Sequence, residues 1–388
     1  MGFAKREQER QDEEKWSQLS DTFVCSECLE DKGLISFIKN NSSRKGCSYC
    51  TDQTSKDRKS CNINVLLEYI SDCVRQHYED PAESMAFESR EGGYQGSTFD
   101  TYDLLTSTIQ TKSHKLLEAI ISAFDHTLWC KIDPYSDSPS DKMLYDWQSF
   151  CGHIKHENRF FLNERSNRTL KRIVSDFQSH TKICTLYSGS TIYRARAFQS
   201  DQPFPLVLEE ISMPKKEDII KQSNRMSPAG IPLFYASDNL ETCKMEAGLS
   251  NITNPPQDMI AYGSFRLNKN LKVFDLSALP TTPSIFEIHE QVHRETISFL
   301  RMFMENIMQP VVRDGREHVE YIPSQIFTEY IRQNMKLDKR AIDGICYPSA
   351  QNPNGKNYAL FIKHDDITNS PTEEAILRLD SQIKIEEF

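Results

Sequence analysis

The chain has 388 residues, a formal net charge of −10 and 38% hydrophobic residues, a length that accommodates two domains with separate cores. Its acidic balance argues against a surface built mainly for nucleic acid, and no apolar run reaches the ~18 residues of a membrane-spanning helix. The opening stretch, Met1 to Lys15, is charged where a signal peptide would be apolar, so a cytoplasmic address is expected.

The first feature in chain order is a set of cysteines. Of eleven in all, Cys25 and Cys28 form one C-x-x-C pair and Cys47 and Cys50 a second, with residues 29–46 between them. That gap falls within the roughly 15–20 residues typical of tetrathiolate zinc sites. Each pair offers two sulfurs on one tight turn, and four thiolates close the metal to substrate, so the expected role is a structural zinc. Unligated thiols or a redox pair are the competing readings. Cys61, Cys73, Cys130, Cys151, Cys184, Cys243 and Cys346 lack such partners and read as small buried side chains.

From Asn64 to Tyr78, the residues Val65, Leu66, Tyr69, Ile70, Cys73, Val74 and His77 recur at helical steps. Asp80 to Asp100, with Pro81, Gly92, Gly93 and Gly96 among acidic residues, reads as a flexible connection. Further helical patterns follow around Leu116–Leu128, Met143–Phe150 and Asn167–His180. The expected organisation is a zinc-binding leader over 1–60, a helical domain over 61–182 and a third region over 183–388. In that region strands (Thr185–Phe198, Pro232–Ala236, Ile260–Arg266, Leu271–Leu276, Gly344–Tyr347, Tyr358–Ile362) mix with helices (Thr242–Leu249, Ile285–Met308, Ser324–Asn334), which predicts an α+β core.

The chemistry concentrates in three segments of this last region. Thr191-Ile-Tyr-Arg-Ala-Arg-Ala-Phe198 is a strand bearing Arg194 and Arg196 on one face. Asn224-Arg-Met-Ser-Pro-Ala-Gly-Ile-Pro-Leu-Phe-Tyr-Ala-Ser237 combines a turn with a short apolar strand, and Glu246 follows about two turns into the next helix. Ile342-Asp-Gly-Ile-Cys-Tyr-Pro-Ser349 leads through a polar loop to the strand beginning at Asn357. Guanidinium groups grip phosphate oxygens in pairs and stay charged, while a fixed carboxylate favours oxocarbenium-like sugar chemistry.

In order and spacing these segments resemble the RES domain, a family of NAD-degrading bacterial toxins. Tyr193 to Arg196 matches its Y-R-x-R strand, Asn224 to Tyr235 its N-R-M-x-P-x-G-I-P-x-F-Y block, and Tyr235 to Glu246 its tyrosine-to-glutamate step. Tyr321 to Tyr330, Ser349 and Asn357 also look like the longer members, and Gly152 to Phe161 is similar to their HEPN/RES-type N-terminal domain. The resemblance implies an ADP-ribosyltransferase-like split sheet that binds NAD across a cleft. It implies Glu246, Arg194, Tyr235 and Ser349 as catalytic residues, with Arg194, Arg196, Arg225, Tyr193, Tyr235 and Asn357 binding the dinucleotide. The implied activity is cleavage of the nicotinamide–ribose bond with water or phosphate as acceptor, in a toxin or defence effector silenced by an antitoxin or regulatory protein; a homo-oligomer also fits. ADP-ribosyl transfer to a macromolecule and a non-catalytic zinc-containing binding module are the alternatives. An RNase reading is weakened because Arg172 and His180 are too far apart to act as a HEPN pair, and Arg313 with His318 lies in a loop-like context.

Overall fold

The computed structural model describes residues 16–50, 56–90, 92–125, 127–201, 207–213, 223–248, 258–309, 315–370 and 374–387. Met1 to Lys15, Leu249 and Arg313 lie outside them. Packing divides the chain into two compact units, residues 1–139 with 281–295 and residues 140–280 with 296–388. Among the described residues no helix is long and apolar enough to cross a membrane.

The first unit begins with a small antiparallel sheet in the order β1 (Phe23–Cys25), β3 (Lys59–Asn62), β2 (Arg44–Lys45). Helix α1 (Lys32–Asn40) starts where Asp31 accepts the Leu34 amide at 2.9 Å, an N-cap that replaces a missing intrahelical bond. Helices α2 (Ile63–Arg75), α3 (Thr101–Thr108) and α4 (His114–Ala123) bury Leu66, Ile70, Leu105, Leu116 and Ile120 in the same core. Ile285 and Phe286, remote in sequence, complete that core. Tyr69 donates to the Phe286 carbonyl at 2.7 Å, and a Cβ on Gly33 would lie 2.3 Å from the same oxygen. Glycine at position 33 is therefore a packing requirement.

The stretch Asp80–Asp100, read from sequence as a flexible connection, holds defined structure instead. Asp80 caps the short helix Pro81–Ser84 by accepting the Ala82 amide. A hairpin of β5 (Phe87–Glu88) and β6 (Gly93–Tyr94) follows. A second small sheet joins β4 (Tyr78–Glu79), β8 (Leu128–Lys131) and β7 (Phe99–Asp100). The glycines supply turns here, with Gly92 at φ +70.

The second unit is a mixed sheet backed by helices. Its strands are β9 (Ile183–Leu186), β10 (Thr191–Phe198), β11 (Phe234–Ser237), β12 (Met259–Leu267) and β13 (Leu271–Asp275), then, beyond the hairpin β14 (Lys336–Leu337) and β15 (Arg340–Ala341), β16 (Gly344–Pro348), β17 (Lys356–Leu360), β18 (Ile367–Thr368), β19 (Leu377–Leu379) and β20 (Lys384–Glu387). They run in the order β18-β19-β12-β10-β11-β17-β16-β13-β9, with β20 also on β12. Only β13/β16 and β18/β19 pair in parallel among the described strands. Alternation sorts the two faces: Phe274, Ile345, Tyr347 and Ala359 enter one core, and Val273, Cys346, Tyr358 and Leu360 the other.

Helices α5 (Pro139–His156), α6 (Glu164–His180), α8 (Gln291–Met308, its C-terminal part) and α9 (Ile322–Asn334) cover the first of these faces. The stripe Leu170, Ile173, Val174 and Phe177 on α6 packs with Phe274, Phe303 and Phe327. This packing puts α5 and α6 in the second unit, with the division at residue 139 rather than at 182. Helical periodicity identifies an apolar stripe but not the core that receives it.

Candidate active site and cysteine centre

The sheet is nearly open at one seam. Strand β10 pairs with β12 over its whole length, from Thr191↔Arg266 to Phe198↔Met259, but meets β11 only at Tyr193↔Ser237. Beyond that point the strands diverge, and a cleft of about 350 Å³ lies between them. Arg194 spans the gap. Its Nη1 donates to the Tyr235 carbonyl at 2.6 Å, a role a ladder amide would have on a paired strand, and its Nε donates to the Ile211 carbonyl at 2.7 Å. Burial lowers Arg194 to about 10, so it remains a cation at neutral pH.

Helix α7 (Leu240–Gly248) carries Glu246 to the rim of the cleft. Asn239 starts the helix by accepting the Thr242 amide at 2.8 Å. The carboxylate is gripped from two strands: Ser349, just past β16, donates at 2.5 Å and Asn357 of β17 at 2.7 Å. Ser237 of β11 in turn donates to Asn357 Oδ1 at 2.7 Å, which fixes the amide with its nitrogen toward Glu246. Both donors reach Oε1, which leaves Oε2 as the oxygen for a ligand. The loop between β16 and β17 is pressed on α7, since a Cβ on Gly355 would lie 2.2 Å from Thr242 Oγ1.

Tyr235 lies on the cleft wall with its phenol oxygen 3.1 Å from Ser227 Oγ and accepting the Met226 amide at 3.2 Å. Burial pushes this phenol up to about 12. The turn that holds it is closed by reciprocal backbone bonds between Asn224 and Ser227. It presents Arg225, whose Nη1 donates to the Ile307 carbonyl at 2.5 Å and whose guanidinium carbon lies 5.7 Å from the centre of the Tyr321 ring. Helix α9 secures the same turn: Ser324 donates to the Arg225 carbonyl and Gln325 to the Asn224 carbonyl at 2.8 Å.

The cleft thus brings together Tyr193, Arg194, Arg225, Tyr235, Glu246 and Asn357, with Ser349 bonded to Glu246 behind it. Arg196 is not among them. It is solvent-exposed and donates to the Glu210 carbonyl at 2.9 Å. Sequence reasoning missed Ser237, Tyr347 and the roles of Ser324 and Gln325. Tyr347 lines the cleft, and burial pushes its phenol well above the ordinary tyrosine range. Its alternation with Ile345 and Cys346 was the available signal.

In the first unit the four cysteines of the two C-x-x-C pairs converge, with their sulfurs all within 4.8 Å of one another. The Cys25–Cys50, Cys28–Cys50, Cys28–Cys47 and Cys25–Cys28 separations are 3.4, 3.3, 3.6 and 3.9 Å. A tetrahedral zinc with bonds of about 2.3 Å sets sulfurs about 3.8 Å apart, so the donor set fits that metal. The Cys25 amide and an Arg58 Nη1 donate to Cys47 and Cys50 sulfurs at 3.4 and 3.0 Å, as outer partners of thiolates do.

Two family models match the chain: one described as the RES domain over residues 192–382, and one described as HEPN/RES N-terminal domain 1 over residues 40–168. No curated protein and no solved structure matches it. Arg172 and His180, the widely spaced pair on α6, have local partners: Arg172 donates to Asp146 at 3.2 Å, and His180 Nδ1 lies 2.7 Å from the Asp176 carbonyl.

Proposed function

Starting from the chain's membership of the RES domain family, with its HEPN/RES N-terminal domain, we propose that it consumes NAD by breaking the bond between nicotinamide and ribose. The observation that carries this reading is Glu246, held on one oxygen by Ser349 and Asn357 beside Arg194 and Tyr235. As the C1′–N bond breaks, its electron pair leaves with nicotinamide and positive charge develops on the sugar. A preorganised carboxylate stabilises that charge without having to reorient. Water then adds to C1′ and loses a proton, giving ADP-ribose, or phosphate adds and gives its 1-phosphate ester.

The remaining groups take supporting roles. Arg194 and Arg225 bind the pyrophosphate, each already oriented by a backbone carbonyl. Tyr235 and Tyr193 offer faces for the cationic nicotinamide ring. On this reading the weakly paired β10–β11 seam would take the place of the split expected of an ADP-ribosyltransferase-like fold. Cys25, Cys28, Cys47 and Cys50 hold a structural zinc, which supplies no chemistry to the reaction and ties the start of the first unit together. The biological setting is a toxin or defence effector.

The test is nicotinamide release by the purified chain and by Glu246→Gln, with and without phosphate. Release by the wild type alone supports the reading, and a phosphate requirement identifies the acceptor. Label from NAD found on a macromolecule would replace hydrolysis with ADP-ribosyl transfer. No release under any condition would remove the reading.

A further inference from the structure

A second cavity, of about 550 Å³, opens in the same unit. It is walled by α5, the end of α8 and the start of α9, and it shares two lining residues, Arg225 and Tyr321, with the Glu246 cleft. Its cationic lining is Lys155, Arg225, Arg316 and, when protonated, His156, against one acid, Glu320. Lys155 and Glu320 pair at 2.6 Å, and the rest of the lining carries two guanidinium groups and no second acid although the whole chain is acidic. Such a pocket selects an anion.

Two further observations concern the ligand's shape. Gly152 lies inside helix α5 and lines the cavity, and a Cβ there would meet nothing within 4 Å. A glycine within a helix is disfavoured relative to alanine, and no neighbouring protein atom requires it here, so the wall at this position is open. Beside it, Asn306 accepts the Trp147 indole N–H at 3.0 Å, which fixes its amide with the nitrogen as the donor end, suited to a base edge. The Glu246 cleft, at 350 Å³, lies near the small end of ligand pockets, which span roughly 300–1,000 Å³. NAD carries two nucleosides and a pyrophosphate.

We propose that the adenylate half of NAD occupies this second cavity, with Lys155 and Arg316 at its phosphate, Asn306 at its base, and Arg225 and Tyr321 at the junction with the cleft. The inference rests on the NAD-cleaving reading and extends it. Helix α5 lies within the HEPN/RES N-terminal match, so that region would supply substrate-binding residues in addition to any regulatory role.

The probe is AMP, measured by calorimetry, with nicotinamide mononucleotide as the truncated substrate. AMP should bind the wild-type chain and Glu246→Gln alike, and compete with NAD for nicotinamide release. Gly152→Leu, which narrows the cavity, and Lys155→Gln should each weaken AMP binding about tenfold or more. Both should also lower the preference for NAD over the mononucleotide by a similar factor. Melting curves exclude misfolding of the variants. No AMP binding, or equal binding to Gly152→Leu, overturns the proposal. AMP binding that does not compete with NAD also overturns it, in favour of a separate nucleotide effector site. If the wild type binds AMP and NAD competitively here but releases no nicotinamide, the cleavage reading falls and the adenylate site stands.

Discussion

The cysteine centre and the Glu246 cleft hold polar groups in place by opposite arrangements. In the first unit four like groups converge on one point from two turns, with sulfurs all within 4.8 Å of one another. Crowding sets the thiols against one another: the hydrogen bond from Cys28 draws Cys47 down, while burial pushes Cys25 up. A symmetric, saturated set of this kind suits a metal that stays bound. In the second unit a single carboxylate is gripped, among the described residues, on one oxygen. Asymmetry leaves the other oxygen for a reacting molecule.

The sharpest way to break this comparison is to remove a sulfur. Cys28→Ser should abolish metal binding, and because a structural zinc contributes on the order of 10 kcal/mol, residues 23–50 and 56–62 should lose hydrogen-exchange protection. Elemental analysis gives the direct check: metal-free wild type that melts like the variant would reduce the centre to packed thiols. Next in size, Glu246→Gln keeps the shape and removes the charge. Its cost in nicotinamide release should be about 10²–10³-fold, the scale of losing one preorganised electrostatic contact, with the melting temperature little changed.

Smaller effects sharpen the account of how Glu246 is held. Ser349→Ala and Asn357→Ala should each slow release about tenfold, and the double variant should cost less than the product because both donors serve one oxygen. Strictly multiplicative losses would mean independent roles. Smallest of all, Arg196→Ala should change release by no more than about twofold, since Arg196 is solvent-exposed and donates to the Glu210 carbonyl. A large loss there would place it back at the substrate.

The difference between the regions also governs what the sequence makes legible. The cysteine centre is visible in the spacing alone, because each pair of ligands is local and cysteine has few other reasons to recur at C-x-x-C. Strand positions in the second half follow from apolar runs, and β11, β12, β16 and β17 fall close to their expected places. Glu246 is different. Its donors lie at 349 and 357, and nothing local in the helix Leu240–Gly248 distinguishes it from a solvated glutamate; the family pattern supplies that. Arg194 and Arg196 share a strand face by alternation, yet Arg194 lines the cleft while Arg196 is solvent-exposed. The packing of α5 and α6 on the second core is likewise invisible to periodicity, and with it the second cavity.

The most direct test of the central claim is nicotinamide release from NAD by the purified chain beside Glu246→Gln, with both proteins shown to be folded. The account predicts release by the wild type and a loss of about 10²–10³-fold in the variant. Equal release by the two proteins would contradict it, because the bond would then be broken without the carboxylate that Ser349 and Asn357 hold in place.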